Sequence, residues 1–155
     1  MQLVYGNMWD IWDSTDCFLI TTNSTTKNDG SLVMGRGIAR QARDRFPGID
    51  TALGLHIILC AGHLGRYGIV TSPHWASGNN YKLAAFQVKT HYSNKTDLNL
   101  ITYSCLRLNR LAKIHPLLRF DLNFPGIGNG KLSRDLVLPT LEHLPDNVHI
   151  WQYRP

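Results

Sequence analysis

The sequence holds 155 residues, enough for one domain spanning 1–155 that buries a core without covalent staples, and its 43% hydrophobic, 17% charged composition is that of an ordinary globular protein. The net charge of +5 favours anionic partners. The Lys and Arg residues are spread, apart from Arg36, Arg40, Arg43 and Arg45 and a group from Arg107 to Lys113, which argues against a uniformly basic nucleic-acid binder.

The cysteines Cys17, Cys60 and Cys105 are odd in number, form no CxxC and sit in apolar neighbourhoods, so they read as buried free thiols in a reducing compartment. The histidines show no metal-ligand spacing, so no metal site is expected. The start of the chain lacks the pattern of a signal peptide, and no apolar run approaches membrane-spanning length. The expectation is a soluble, cytoplasmic protein without a membrane partner.

In chain order, Gln2 to Tyr5 reads as a short strand closed by Gly6-Asn7, and Met8 to Asp13 as a turn. Asp16 to Thr22 is a second strand whose near-continuous apolar run suits burial on both faces. A polar loop, Thr21 to Ser31, leads to Leu32-Val33-Met34-Gly35-Arg36-Gly37-Ile38 and a helix from Gly37 to Phe46, with Ile38, Ala42 and Phe46 inward. Pro47-Gly48 stops it, and Asp50 is the expected N-cap of a second helix to about Cys60, with Leu53, Ile57 and Cys60 inward.

Tyr67 to Ser72 is a third strand, His74 to Lys82 a loop, and Ala84 to Tyr92 a fourth strand. Thr96 or Asp97 caps a long helix to about Ile114, with Leu98, Ile101, Cys105 and Leu108 at helical spacing. Leu118 to Phe124 is a fifth strand running into Pro125-Gly126-Ile127-Gly128-Asn129-Gly130. Ser133 or Asp135 begins a last helix to about Leu144, with Pro139 as a kink, and Val148 to Tyr153 is the final strand. This alternation predicts an α/β fold: a three-layer α/β/α sandwich on a central mixed, mostly parallel six-stranded sheet. Both glycine loops directly follow strands, so both belong to the carboxyl rim where such sheets bind ligands. A strand, a glycine-bearing loop and a helix N-terminus together offer free N–H groups and a positive dipole to an anion. Two such loops fit a nucleotide diphosphate.

These residues carry a resemblance to the macrodomains, the ADP-ribose-binding α/β/α family. Gly6-Asn7-Met8 resembles the family's Gly-Asp-Ile segment, and Thr22-Asn23 its Asn-bearing strand end. Val33 to Ala39 is similar to the MGxGIA form of the first phosphate loop, and Phe124 to Gly130 to the second. The MGxGIA form resembles the branch of terminal ADP-ribose glycohydrolases, antitoxins that remove ADP-ribose from DNA, and an ADP-ribose-1''-phosphate phosphatase.

The resemblance implies a monomer that needs no cofactor. It binds ADP-ribose and hydrolyses a terminal ADP-ribose linkage on protein or nucleic acid; the alternatives are phosphatase action on ADP-ribose-1''-phosphate and a reader without catalysis. It implies ligand contacts by Gly6, Asn7, Met8, Val33, Met34, Gly35, Arg36, Gly37, Ile38, Pro125, Gly126, Ile127, Gly128, Asn129 and Gly130, and catalytic roles for Lys89, Asn23 and Asp135. Asn7 stands where the family commonly has an aspartate, and its side-chain oxygen can still accept a bond from the adenine amino group. Lys131 to Arg134 occupy the region of the glycohydrolase's catalytic aspartate, and Asp135 is the nearest carboxylate.

Each of these residues also has a plainer use. The glycines can serve tight turns, Asn23 can bond its own loop, and Lys89 can be a solvated strand-end lysine. As a catalyst, Lys89 either attacks the anomeric carbon or stabilises departing charge. His91 and His74 are acid–base candidates. Trp75, Tyr81 and Tyr92 offer stacking surfaces.

Overall fold

The computed structural model describes residues 1–71 and 82–154. Its strands are β1 (Gln2–Tyr5), β2 (Cys17–Thr22), β3 (Ile69–Val70), β4 (Leu83–Gln87), β5 (Phe120–Asn123) and β6 (Val148–Gln152). Its helices are α1 (Gly37–Arg45), α2 (Ile49–Ala61), α3 (Leu98–Ile114) and α4 (Arg134–Leu141), with short 3-10 turns at Met8–Ile11 and Gly128–Gly130. The sheet order is β1-β6-β5-β2-β4-β3. Every pairing is parallel except β3 with β4. This is the α/β/α sandwich with a mixed, mostly parallel six-stranded sheet that the sequence predicts.

The layers follow from burial. Ala42, Ile49, Leu53 and Ile57 of α1 and α2 pack with Phe18, Ile20 and Ala85 on one face of the sheet. Ile101, Cys105 and Leu108 of α3 and Val137 and Leu141 of α4 pack with Leu19, Phe86, Leu122 and Ile150 on the other. Central β2 sends Phe18 and Ile20 to one face and Leu19 to the other, all fully buried. A strand covered on both faces needs an unbroken apolar run, which is how Cys17 to Ile20 reads.

The helices start where local chemistry caps them. Asp97 accepts the Asn99 N–H at 2.9 Å and begins α3. Ser133, not Asp135, caps α4, accepting the Leu136 N–H at 3.3 Å. The second helix starts one residue before Asp50: buried Ile49 joins the core side, and Gly48, at φ 92°, makes the turn from α1 that puts it there. Pro139 lies inside α4, which ends at Leu141 rather than Leu144.

The fourth and fifth strands are shorter than predicted. The fourth ends at Gln87, opposite the last residue of β2; Val88 makes one further bond to Thr22, and the chain then turns at His91–Asn94. The fifth starts at Phe120, since Leu118 closes a turn on His115. Cys60 is exposed, contrary to the sequence expectation, because it lies on the solvent side of the last turn of α2 next to exposed Leu59. Cys17 and Cys105 are sheltered free thiols, both pushed up to about 12 chiefly by burial. They stay protonated and inert.

One buried charge holds the opposite pole of the sheet. Asp121 is fully buried and accepts from Arg119 Nε at 2.9 Å and Nη2 at 3.0 Å, from Thr15 Oγ1 at 2.6 Å, and from Trp151 Nε1 at 2.7 Å. Each carboxylate oxygen is thus satisfied, which is the condition for keeping a charge inside a core.

Candidate functional site

The strand order places a switch point between β2 and β5. The chain leaves β2 through α1 and α2 toward β3 on one side, and leaves β5 through α4 toward β6 on the other. Connections that diverge this way open a crevice beyond the carboxyl ends of the two strands. Asn123 marks where it opens. The β2–β5 ladder runs from the Cys17–Phe120 pair to the Leu19–Leu122 pair. Past it the Asn123 side chain replaces main chain, accepting the Thr21 N–H at 3.0 Å and donating to Thr21 Oγ1 at 2.9 Å. The strands part without leaving the Thr21 N–H unmatched.

The first glycine loop follows β2. Asn23 holds its two ends together: its Oδ1 accepts the Thr25 N–H at 2.9 Å and its Nδ2 donates to the Val33 carbonyl at 3.0 Å. Buried Leu32 and Met34 anchor the return, and the Leu32 N–H bonds the Asp50 carbonyl at 2.9 Å. That approach of loop to helix requires Gly54, where an added Cβ would lie 2.0 Å from the Gly30 carbonyl oxygen. Gly35, Arg36 and Gly37 are exposed, and no acceptor among the described residues meets the N–H groups of Gly35, Arg36, Gly37 or Ile38. Gly35 is unlike its neighbours. It has no positive φ, and a Cβ built on it would meet nothing within 4 Å.

The second loop follows β5. Gly126, at φ 83°, turns the chain close over Ile101, whose Cδ1 would lie 2.8 Å from an added Cβ. The N–H groups of Gly126, Gly128 and Asn129 likewise meet no acceptor among the described residues. The two loops touch: an added Cβ on Gly37 would sit 3.4 Å from Asn129 Nδ2. Two sets of unmatched main-chain donors therefore face the same crevice, one at the N-terminus of α1. Main-chain donors arranged in this way can hold an anion.

The cations gather at its edge. Lys89, two residues past β4, is half-buried, and burial holds its amine below the usual lysine value, with the charges of Arg36 and then Lys131 adding to the effect. Arg36 belongs to the first loop and Lys131 follows the second, so three positive groups from three strand ends share one field. Lys131 is the only non-glycine residue with positive φ among the described residues, at 63°. An L-residue held there costs about 1–2 kcal/mol.

The other predicted residues divide. Gly6 and Asn7 lie on the rim after β1, where Asn7 Oδ1 accepts the Trp9 N–H at 3.0 Å and caps a turn. The side chains of Met8 and Met34 are core, so only their main chain can face a ligand. Pro125 is buried beneath the second loop, while Gly130 packs on Thr96. Asp135 is exposed in the first turn of α4, a position the helix dipole favours for any carboxylate. His91 is exposed and shares a 2.7 Å hydrogen bond with Ser93 Oγ, and its ring lies 4.5 Å from that of Tyr92. His74, Trp75 and Tyr81 lie outside the described residues. Sequence reasoning missed Asn123 and Lys131; for Lys131 the signal was its place directly after Gly-Asn-Gly. Among the described residues no three His, Cys, Asp or Glu side chains are grouped to hold a metal, and no helix is long and apolar enough to cross a membrane.

A six-stranded α/β/α sandwich with two glycine loops at its switch point defines a recognisable class of fold. Solved structures with this fold include macrodomains. The macrodomain of Mycobacterium tuberculosis DarG matches with a TM-score of 0.67 at 24% identity, over 99% of this chain and 98% of that one. The macrodomain of Thermus aquaticus DarG matches at 0.64 and 21% identity, over 99% and 97%. Thermosipho africanus DarTG in complex with ADP-ribose matches at 0.71 and 18% identity, over 99% of this chain and 42% of that one. No protein-family model and no curated protein matches the sequence. The chain therefore has the macrodomain fold.

Proposed function

We propose that this chain binds ADP-ribose and hydrolyses a terminal ADP-ribose linkage on a protein or nucleic acid. Gly35 is the observation that carries the binding half. A glycine is ordinarily retained for a positive φ or for close protein packing, and Gly35 has neither. A ligand lying against the main chain at that point supplies the missing reason. The unmatched N–H groups of both loops, and a similar structure that holds ADP-ribose, support the same ligand.

In this reading residues 1–155 form one macrodomain that works as a monomer in the cytoplasm and needs no cofactor. The diphosphate lies between Val33–Ile38 and Pro125–Gly130, and the adenine lies beside Gly6, Asn7 and Met8. The distal ribose lies near Asn23, which retains one amide hydrogen, and near Lys89. Lys89 acts at the anomeric carbon. Its lowered proton affinity gives it a larger neutral fraction for attack, in which a bond from Nζ to the anomeric carbon forms as the leaving group departs with its electron pair, and water later displaces the amine. Asp135 supplies the nearest carboxylate beyond the second loop.

The test is release of free ADP-ribose from ADP-ribosylated DNA and ADP-ribosylated protein, followed by mass spectrometry with wild type and Lys89→Ala. Loss of turnover with retained ADP-ribose binding is expected; full turnover by Lys89→Ala removes the lysine from the mechanism. A second reading, a reader without catalysis, is favoured by Lys131 to Arg134 standing where a carboxylate is expected. It predicts binding without release from either substrate. Phosphate release from ADP-ribose-1''-phosphate would instead mark a phosphatase.

A further inference from the structure

Behind the rim a buried polar chain joins the strand ends that carry Asn23 and Lys89. Thr22 and Gln87 form the last pair of the β2–β4 ladder, and one further bond, from the Val88 N–H to the Thr22 carbonyl at 3.0 Å, follows it. Tyr67 lies beside that end with its ring buried. Phe would pack such a site equally well, so the hydroxyl needs its own explanation. It donates to the Asn23 carbonyl at 2.6 Å and shares a short hydrogen bond with Thr22 Oγ1.

The other end of Tyr67 is tied to β4. Its N–H and that of Gly68 donate to Gln87 Oε1 at 2.7 and 3.1 Å. Gln87 Nε2 donates to the Gly65 carbonyl at 2.6 Å and to the Lys89 carbonyl at 3.3 Å. Gln87 is fully buried, as is Ser104, whose Oγ donates to the Gln87 carbonyl at 2.7 Å. Burial pushes the Tyr67 phenol well above its usual value, so it stays a neutral donor throughout the working range.

We infer that Tyr67 is a positioning residue for the distal end of the ligand: through Asn23 on one side and Gln87 on the other, it sets the main chain of Asn23 against that of Lys89. The inference rests on the function proposed above and adds a residue that touches no ligand. Its consequence is selective. ADP, which lacks the distal ribose, is held by the two glycine loops and does not use this chain of contacts. ADP-ribose does.

The experiment titrates ADP and ADP-ribose into wild type and Tyr67→Phe by calorimetry. Wild type is expected to bind ADP-ribose more tightly than ADP. Tyr67→Phe is expected to weaken ADP-ribose on the order of tenfold while ADP stays within about twofold. Equal affinity of Tyr67→Phe and wild type for ADP-ribose overturns the inference, and so does a loss shared in equal proportion by both ligands, the mark of a merely structural residue. Should Tyr67→Phe fail to fold, Thr22→Val removes the hydroxyl on the other side. A loss of about threefold for ADP-ribose alone is expected there, and no loss overturns the inference. A wild type that binds ADP normally but gains nothing from the distal ribose overturns the positioning role and leaves the loops intact. A wild type that binds neither ligand defeats the proposed function, and the inference with it.

Discussion

Replacing Gly35 by alanine separates a glycine kept for a ligand from a glycine kept for the fold. The backbone at Gly35 has no positive φ, and an added Cβ meets nothing within 4 Å, so the protein itself has no objection to a methyl group. Gly→Ala at such a position stabilises by about 0.4–1 kcal/mol through the unfolded chain. In the proposed binding mode the same methyl stands where the ligand's phosphates approach the loop, and forcing an extra methyl into a filled contact costs about 1–3 kcal/mol. At 1.4 kcal/mol per decade that is roughly a 5- to 150-fold loss of affinity. Gly54→Ala is the opposite control, with its Cβ 2.0 Å from the Gly30 carbonyl and 2.7 Å from the Leu32 nitrogen. It is expected to lose at least about 1–3 kcal/mol of stability. Urea unfolding and calorimetry with ADP-ribose read both quantities. Gly35→Ala with wild-type affinity, or with the instability of Gly54→Ala, refutes the reasoning.

Lys89 titrates below 10.5 in the folded chain, so its charged form costs stability below the folded value, and that cost is relieved as pH rises through it. Anion binding runs the other way: ADP-ribose affinity is expected to fall as pH rises through the Lys89 titration, and Lys89→Met to flatten that profile in a calorimetric pH series. Asp121→Ala removes the buried acceptor shared by Thr15, Trp151 and the partly exposed Arg119, and urea unfolding is expected to show a loss of about 1–3 kcal/mol. Asn123→Ala strands the Thr21 N–H, with an expected loss of about 1–3 kcal/mol and weaker ADP-ribose binding as the crevice relaxes.

The layers and the two loops were legible in the sequence because their signals are local. An apolar run such as Cys17 to Ile20 has few places to go, and glycine loops directly after strands lie on one rim. What the sequence hid depends on distant partners. Asn123 matters through Thr21, 102 residues away, and Tyr67 through Asn23, 44 residues away. Neither stands out by type or spacing. The clustering of Arg36, Lys89 and Lys131 is likewise a product of three strand ends meeting. Asn23 shows the reverse: the structure gives it the local loop-holding role that an Asn after a strand can always play. Cys60 misled because in the last turn of α2 it is Ala61 that packs on the core, while Ile58, Leu59 and Cys60 face solvent.

The most direct test of the site is a calorimetric titration of the wild-type chain with ADP-ribose at neutral pH and low salt. Saturable binding at one site per chain, weakened by Gly35→Ala without loss of stability, is the expected result. The absence of saturable binding from a folded wild-type chain would contradict it.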